Sequence, residues 1–125
     1  MKSNNLQPFY IISAHQEGKD NDVTDHCLSM DLNTLGLTHT EATGTYNNTS
    51  ERCRVVYSGD EVKAKFLRDE YKQECYLYVH NDRSAELVYS DGTRKTLPGT
   101  FRPINPEFIG NDNYTKVGDK YYSVY

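Results

Sequence analysis

The stretch EATGTYNNTSERCRVVYSGDE, residues 41–61, decides the fold that we predict for this chain. Two strand-like runs, 41–47 and 51–58, flank the tight polar turn NTS, a pattern typical of a β-hairpin. Ser58 and Glu61 then have the spacing of a helix capping box, so a helix should begin directly after the hairpin. The middle of the chain is therefore predicted as strand, strand and helix.

The segment before this hairpin predicts a strand and a helix. FYIISA, residues 9–14, is a short apolar run bounded by Pro8 and a polar loop, which is typical of a buried strand. A helix should follow, with Asp22 followed by Asp25 capping its start and Gly36 at its stop. The leucines of its predicted apolar stripe are Leu28, Leu32 and Leu35.

The segment after the hairpin predicts a longer series of strands. The second helix should end near Gln73, and CYLYVHN, residues 75–81, should form a fourth strand. SAELVYS and TRKTL are predicted as a hairpin about Asp91-Gly92, and the tail as another about Gly118-Asp119. The order β-α-β-β-α-β with extra C-terminal hairpins predicts an α+β, ferredoxin-like sandwich with two helices on one face of an antiparallel sheet. We expect one domain over residues 1–125.

The strand patterns leave the second face of the sheet to be covered. Alternation sends Cys75 and Leu77 to one face and Tyr76 and Tyr78 to the other. Two helices can cover only one face, so we expect an aromatic-rich face to be buried in a homo-oligomer. The alternative is that the C-terminal hairpins fold back over the sheet.

Composition restricts the possible partners. The chain has 14 basic and 18 acidic residues and a net charge of −4, which argues against nucleic acid because phosphate neutralisation needs a basic surface. The N-terminal segment resembles neither a signal peptide nor a membrane span. We therefore expect a cytoplasmic protein with no nucleic-acid or membrane partner.

The cysteines and histidines do not predict a metal site. Cys27, Cys53 and Cys75 are widely spaced, which indicates free thiols in a reducing compartment, and all three are interpreted as small core residues. The histidines lack metal-like spacing and cysteine partners. No phosphate-binding or dinucleotide motif is present in the sequence.

Glu51 is the residue that the predicted scaffold does not explain. Alternation places it on the same side as Cys53 and Val55, with Arg52 and Arg54 on the opposite side. A carboxylate at the head of an apolar row is costly to bury without a cationic partner. Either Glu51 reaches water at the strand end and caps the turn, or it serves a ligand; residue chemistry leaves both possibilities open.

Several short motifs occur in one order between residues 8 and 104: PFYIISAH, TGTY, a glutamate before the alternating RVVY strand, ECYLYV, LVY and LPGTF. In this order they resemble the phage-encoded enzymes that degrade S-adenosylmethionine (SAM), the SAM lyases formerly described as SAM hydrolases. This chain departs from the family in two respects. It has Ser50-Glu51 where relatives can carry two adjacent acidic residues, and the segment between Tyr46 and Glu51 is short.

The resemblance implies a fold similar to the trimeric PII-like proteins and a homotrimer with active sites between subunits. It also implies that Glu51 and Tyr46 are catalytic and that Thr43, Gly44 and Ser13 bind substrate, without a cofactor or a metal. The implied role is to deplete the methyl donor in the cytoplasm of an infected host and so to counter restriction-modification.

The reaction that the resemblance implies is an attack by the α-carboxylate of SAM on its own Cγ, which gives 5′-methylthioadenosine and L-homoserine lactone. The first alternative is a SAM hydrolase in which Glu51 is a general base for water and homoserine is the product. The others are a non-catalytic PII-like trimer that binds a nucleotide or SAM, and a proteinaceous anti-defence inhibitor that binds a host enzyme.

Overall fold

The computed structural model describes residues 7–46, 49–108 and 113–125, which form nine strands, two α-helices and one 3-10 turn. In chain order the elements are β1 (Phe9–Ser13), α1 (Asn21–Thr34), β2 (His39–Tyr46), β3 (Thr49–Val56), α2 (Glu61–Glu70), β4 (Cys75–Val79), β5 (Ala85–Tyr89), β6 (Arg94–Thr96), β7 (Phe101–Pro103), the 3-10 turn (Pro106–Phe108), β8 (Tyr114–Val117) and β9 (Lys120–Val124). This order agrees with the predicted β-α-β-β-α-β pattern followed by hairpins.

The described strands form one antiparallel sheet in the order β6-β5-β4-β1-β3-β2-β8-β9-β7. The hairpin of β2 and β3 is paired from His39 opposite Val56 to Tyr46 opposite Thr49. The Phe101 amide of β7, the last strand of this order, donates to the carbonyl of Arg83, between β4 and β5, at 2.8 Å. This contact between the two ends of the order shows that the sheet is curled. The fold is therefore mixed α/β with a curled antiparallel sheet and two helices.

The main core lies between the two helices and one face of the sheet. The helices contribute Leu28, Leu32, Ala64 and Leu67. The sheet contributes Tyr10, Ile12, Val56, Tyr76, Tyr78 and Val88. Leu28, Leu32 and Leu67 are fully buried, and a leucine removed from water in this way stabilises a fold by about 1.5–3 kcal/mol. The predicted stripe on α1 is confirmed at Leu28 and Leu32, while Leu35 packs partly buried at its edge.

The prediction that the aromatic face of the sheet is left open by the helices is wrong. Tyr76 and Tyr78 point towards the helices and are buried there. Their rings span the gap between the two layers, and their hydroxyls reach polar groups at its rim. The Tyr76 hydroxyl donates to Glu61 Oε1 at 2.6 Å, and that of Tyr78 to the Gly59 carbonyl at 3.4 Å. A tyrosine is thus accommodated under a helix because its polar end is satisfied.

The opposite face, which we call the helix-free face, is covered in part by the C-terminal strands. Its buried residues are Ile11, Ala42, Cys53 and Val55. Phe101 of β7 packs against this cluster with its ring 5.3 Å from that of Phe9, and it stacks on Tyr122 of β9 at 5.4 Å. Within one chain, the C-terminal strands therefore fold back over part of this face, as the alternative prediction stated.

Both helix starts differ from the prediction. α1 is capped by Asp20, whose side chain accepts from the Asp22 and Val23 amides. α2 is capped by Asp60, whereas Ser58 only accepts from the Asp60 amide. A side chain immediately before the first helical residue reaches the free amides at the helix start. A side chain inside the first turn, such as Asp22, or two residues earlier, such as Ser58, reaches them less well.

The ends of the hairpin and the helices also need correction. α2 ends at Glu70 rather than near Gln73. β3 begins at Thr49, so two of the three NTS residues belong to the strand, and residues 47–48 between the strands lie outside the described part. Gly36 has a positive φ of 73° just after α1, which confirms the predicted stop.

Asp25, predicted as a helix cap, instead anchors α1 to the sheet. Its carboxylate side chain is only 5% exposed and binds Arg54 of β3 twice, with Nε–Oδ1 at 3.1 Å and Nη2–Oδ2 at 2.5 Å. The hydrogen bond to Asp25 raises the pKa of the Arg54 guanidinium. A paired arrangement of this kind fixes the orientation as well as the charge.

We expect the Asp25→Ala substitution to lower the free energy of unfolding by about 3–5 kcal/mol, because it leaves the Arg54 charge without its buried partner. Urea denaturation followed by circular dichroism measures this change. Asp22→Ala is the matched control, since Asp22 is 81% exposed, and it should cost less than about 1 kcal/mol. Equal stability of the two variants would show that the Arg54 pair does not hold α1 in place.

Candidate functional site

The hairpin of β2 and β3 places Glu51 directly opposite Gly44. Arg52 and Arg54 contact the acidic side chains of α1, so the alternate residues of β3 face away from the helices. Glu51 therefore lies on the helix-free face, in the row that continues into the buried Cys53, as strand alternation predicted. Its side chain is 36% exposed.

Gly44 leaves open space next to the Glu51 carboxylate. Among the described residues, a methyl group at position 44 would meet only Cys53 Sγ, at 3.6 Å, an ordinary van der Waals distance. A groove floor without a side chain allows a flat ligand to lie close to the backbone. Glu51 thus places a carboxylate beside the open position of Gly44 at one end of the helix-free face.

Ser13 lies in the adjacent strand but its hydroxyl is already engaged. β1 pairs with β3 so that Ser13 is opposite Cys53, and Ser13 is 8% exposed. Its hydroxyl donates to the Arg52 carbonyl at 2.9 Å and accepts from the His15 amide at 2.9 Å. Ser13 therefore ties the end of β1 to β3 beside Glu51. Its predicted contact with substrate stays a prediction.

The structure does not place the side chains of Thr43 and Tyr46 beside Glu51 in the described part of the chain. Thr43 is exposed and pairs with Arg52, which places it on the opposite face of β2 from Gly44. It lines an open depression of about 280 Å³ together with Glu41, Ala42, Lys116 and Gly118. The backbone of Tyr46 pairs with Thr49 at the end of the hairpin, but its side chain lies outside the described part of the chain.

His15 is the neighbour of Glu51 that sequence reasoning missed. Its Nδ1 lies 4.0 Å from Glu51 Oε2, and its side chain is 38% exposed. His15 follows β1 and Glu51 lies in β3, so their proximity depends on a pairing between strands that are distant in the chain. The only signal in the sequence was a histidine at the end of the quoted motif PFYIISAH.

The thiols near this site are poor nucleophiles. Burial, followed by the charge of Glu51, raises the pKa of Cys53 to about 12. Burial and the charges of Glu74 and Glu51 raise the pKa of Cys75 to about 11. Since the thiolate is the reactive form, neither sulfur can attack a substrate efficiently at neutral pH. The core role predicted for Cys53 is confirmed, but Cys27 is exposed because it lies on the outer side of α1.

The described part of the chain offers neither a metal centre nor a membrane-spanning helix. Residues 7–46, 49–108 and 113–125 contain no group of three His, Cys, Asp or Glu side chains arranged to hold a metal ion. In the same ranges no helix is long and apolar enough to cross a membrane.

The chain matches the model of a known protein family. The model of the S-adenosylmethionine lyase family matches residues 10–125, which include every residue of the candidate site. No curated protein matches the chain at a significant level.

We expect alkylation to separate the three cysteines. In the folded protein at about pH 8, iodoacetamide should label the exposed Cys27 first and leave Cys53 intact, because a thiol with a pKa of about 12 is ionised to only about one part in ten thousand. Mass spectrometry of the peptides gives the labelled fraction at each site. Labelling in denaturant is the control, and rapid labelling of Cys53 in the folded protein would contradict the burial described above.

Proposed function

The chain belongs to the S-adenosylmethionine lyase family, which makes it a carbon–sulfur lyase that degrades SAM, and we propose that it does so by intramolecular attack. In the proposed step a carboxylate oxygen of SAM bonds to Cγ while the Cγ–sulfur bond breaks. The bonding electrons pass to sulfur and neutralise the sulfonium. The products are 5′-methylthioadenosine and L-homoserine lactone, and the step needs no enzyme nucleophile, metal or cofactor.

The observation that carries this proposal is the environment of Glu51. Its carboxylate is half-buried at the open end of an apolar row, opposite a glycine. Among the described residues the imidazole of His15 lies 4.0 Å from it, a distance beyond a hydrogen bond. A carboxylate left available in this way suits a cationic ligand, and the ammonium group of the methionine tail of SAM is such a cation.

We assign to Glu51 the task of holding this ammonium group so that the tail stays folded. The attack then becomes a positioned unimolecular reaction, and positioning of this kind contributes roughly 7–11 kcal/mol. Excluding water helps as well, because the carboxylate and sulfonium charges cancel in the transition state. The hydrolase alternative gives Glu51 a different task, deprotonation of an attacking water.

The other predicted residues keep proposed roles of their own. Tyr46 would offer its hydroxyl or ring to the tail or to the sulfonium, in the latter case as a cation–π contact. Gly44 would let the nucleoside approach the backbone of β2. Ser13 keeps its proposed substrate-binding role at the end of β1, and Thr43 keeps its own on the opposite face of β2 from Glu51.

We further propose a ferredoxin-like, PII-like chain that assembles as a homotrimer with active sites between subunits. The antiparallel order β4-β1-β3-β2 with both helices packed on one face supports the ferredoxin-like arrangement. The partial exposure of Glu51 supports a second subunit over the site, since a site that excludes water needs another wall.

The proposed biological role is anti-restriction. An enzyme of this kind in the cytoplasm of an infected bacterium would remove the methyl donor that restriction-modification requires. Membership in the SAM lyase family and the resemblance to phage-encoded members support this role.

Following SAM by NMR tests the mechanism. We expect methylthioadenosine and homoserine lactone to appear together before any homoserine. Glu51→Gln should slow SAM loss by about a hundredfold or more, because misplacement of the tail costs about that much. Glu41→Gln is the matched control, since Glu41 is exposed and faces Arg52 on the other side of β2.

The identity of the first product decides between the mechanisms. Homoserine from the first time point, with added lactone stable in the same buffer, would replace the lyase step by attack of water. Intact SAM after long incubation with the wild-type protein would overturn both.

Gly44→Ala should separate folding from substrate binding. Within the part of the chain that the structure describes, the added methyl group meets only Cys53 Sγ, at an ordinary distance, and alanine restricts the unfolded chain more than glycine. We therefore expect the free energy of unfolding to stay equal or to rise by up to about 1 kcal/mol, while KM for SAM rises. Thermal denaturation and SAM-loss kinetics measure the two effects, and an unchanged KM would show that the nucleoside does not approach position 44.

A further inference from the structure

The side chains of His15 and Glu51 lie next to each other without a bond between them. At 4.0 Å the two groups do not share a hydrogen bond. Apart from this approach, no residue among those the structure describes contacts either side chain by a hydrogen bond or an ion pair. Both are more than a third exposed on the same side of the sheet. The pair is thus open to a ligand that carries the complementary charges.

The backbone of His15 is held firmly although its side chain is exposed. Its amide donates to Ser13 Oγ at 2.9 Å, and its carbonyl accepts from Gln73 Nε2 at 2.8 Å. Ser13 in turn donates to the carbonyl of Arg52, the residue next to Glu51. These bonds fix the backbone position from which the imidazole extends towards Glu51. A preorganised binding group requires such an arrangement.

The two arginines nearest to Glu51 in sequence cannot serve this site. Arg52 and Arg54 lie on the opposite face of β3 and are engaged by the acidic groups of α1 and β2. A ligand carboxylate that reaches Glu51 therefore needs another donor. The imidazole of His15 can supply one, since an imidazole N–H donates in either charge state.

We propose that His15 binds the α-carboxylate of SAM while Glu51 binds its α-ammonium group, so that the pair recognises the zwitterionic end of the methionine tail. This inference rests on the proposed function, because it takes the Glu51 site as the place where the tail binds. A donor on one carboxylate oxygen leaves the other oxygen free to attack Cγ. His15 would thus orient the nucleophile of the reaction, and Ser13 and Gln73 would position His15.

Two non-reacting ligands separate this contact from the rest of the site. S-adenosylhomocysteine carries the amino-acid tail without the sulfonium, and methylthioadenosine lacks the tail. Calorimetry with both ligands should be done on the wild type, on His15→Ala and on His26→Ala. His26 is an exposed histidine on α1 and is the matched control. The bonds that hold the loop use backbone atoms of His15, so they are kept in the alanine variant.

We expect His15→Ala to weaken the binding of S-adenosylhomocysteine by about tenfold or more, the usual scale for a charge-assisted hydrogen bond. Methylthioadenosine affinity should stay within about twofold, and His26→Ala should behave as the wild type. Equal affinity for S-adenosylhomocysteine in wild type and His15→Ala would overturn the inference. An equal loss of affinity for both ligands would also overturn it, because it would mean that His15 has a structural role.

The same measurements distinguish this inference from the proposed function. Tail-specific weakening in a protein whose wild type leaves SAM intact would support the His15 contact and overturn the lyase step. SAM turnover with no tail-specific loss in His15→Ala would leave the lyase step standing and remove His15 from the site. A wild type that binds neither ligand would overturn both.

Discussion

The register of β3 within the sheet is the constraint on which the rest of the structure depends. Each residue of this strand faces one side of the sheet only, and its neighbours β1 and β2 fix which side. In the observed register Arg54 meets the buried Asp25 of α1, and Glu51 meets Gly44 on the other side. A slip by one residue would place the Glu51 carboxylate under α1 beside Asp25 and move the arginines onto the helix-free face. The buried ion pair therefore also keeps the candidate site in position.

This register divides the work between the two faces of the sheet. The helix face holds the larger core, and it contains tyrosines whose hydroxyls reach the rim, such as Tyr76 on Glu61. The helix-free face is less apolar at its end, where a carboxylate and an imidazole stand a third exposed. Stability thus comes mainly from one face, which leaves the other free to carry groups that would be too costly to bury.

Local patterns predicted the elements, and contacts between distant segments decided what those patterns left open. The element order, the leucines of α1 and the side of β3 that carries Glu51 followed from periodicity, capping residues and alternation. The period of two defines two faces for a strand but does not say which one meets the helices, so the placement of Tyr76 was wrong. The choice among Asp20, Asp22 and Asp25 at the start of α1, and between Ser58 and Asp60 at the start of α2, was also beyond the sequence, because capping depends on the last non-helical residue. The proximity of His15 to Glu51 could not be predicted, since it requires the pairing of β1 with β3.

The sparse chemistry of the site is consistent with the proposed reaction. SAM brings its own nucleophile, electrophile and leaving group, so the protein has only to hold the tail in the attack geometry and to keep competing nucleophiles away. A reactive thiolate near Glu51 would divert the substrate to other products. The raised pKa of Cys53, to which the charge of Glu51 contributes, keeps that thiol neutral. The same carboxylate that would bind the ammonium group thus suppresses the nearest sulfur nucleophile, which favours attack by the substrate's own carboxylate.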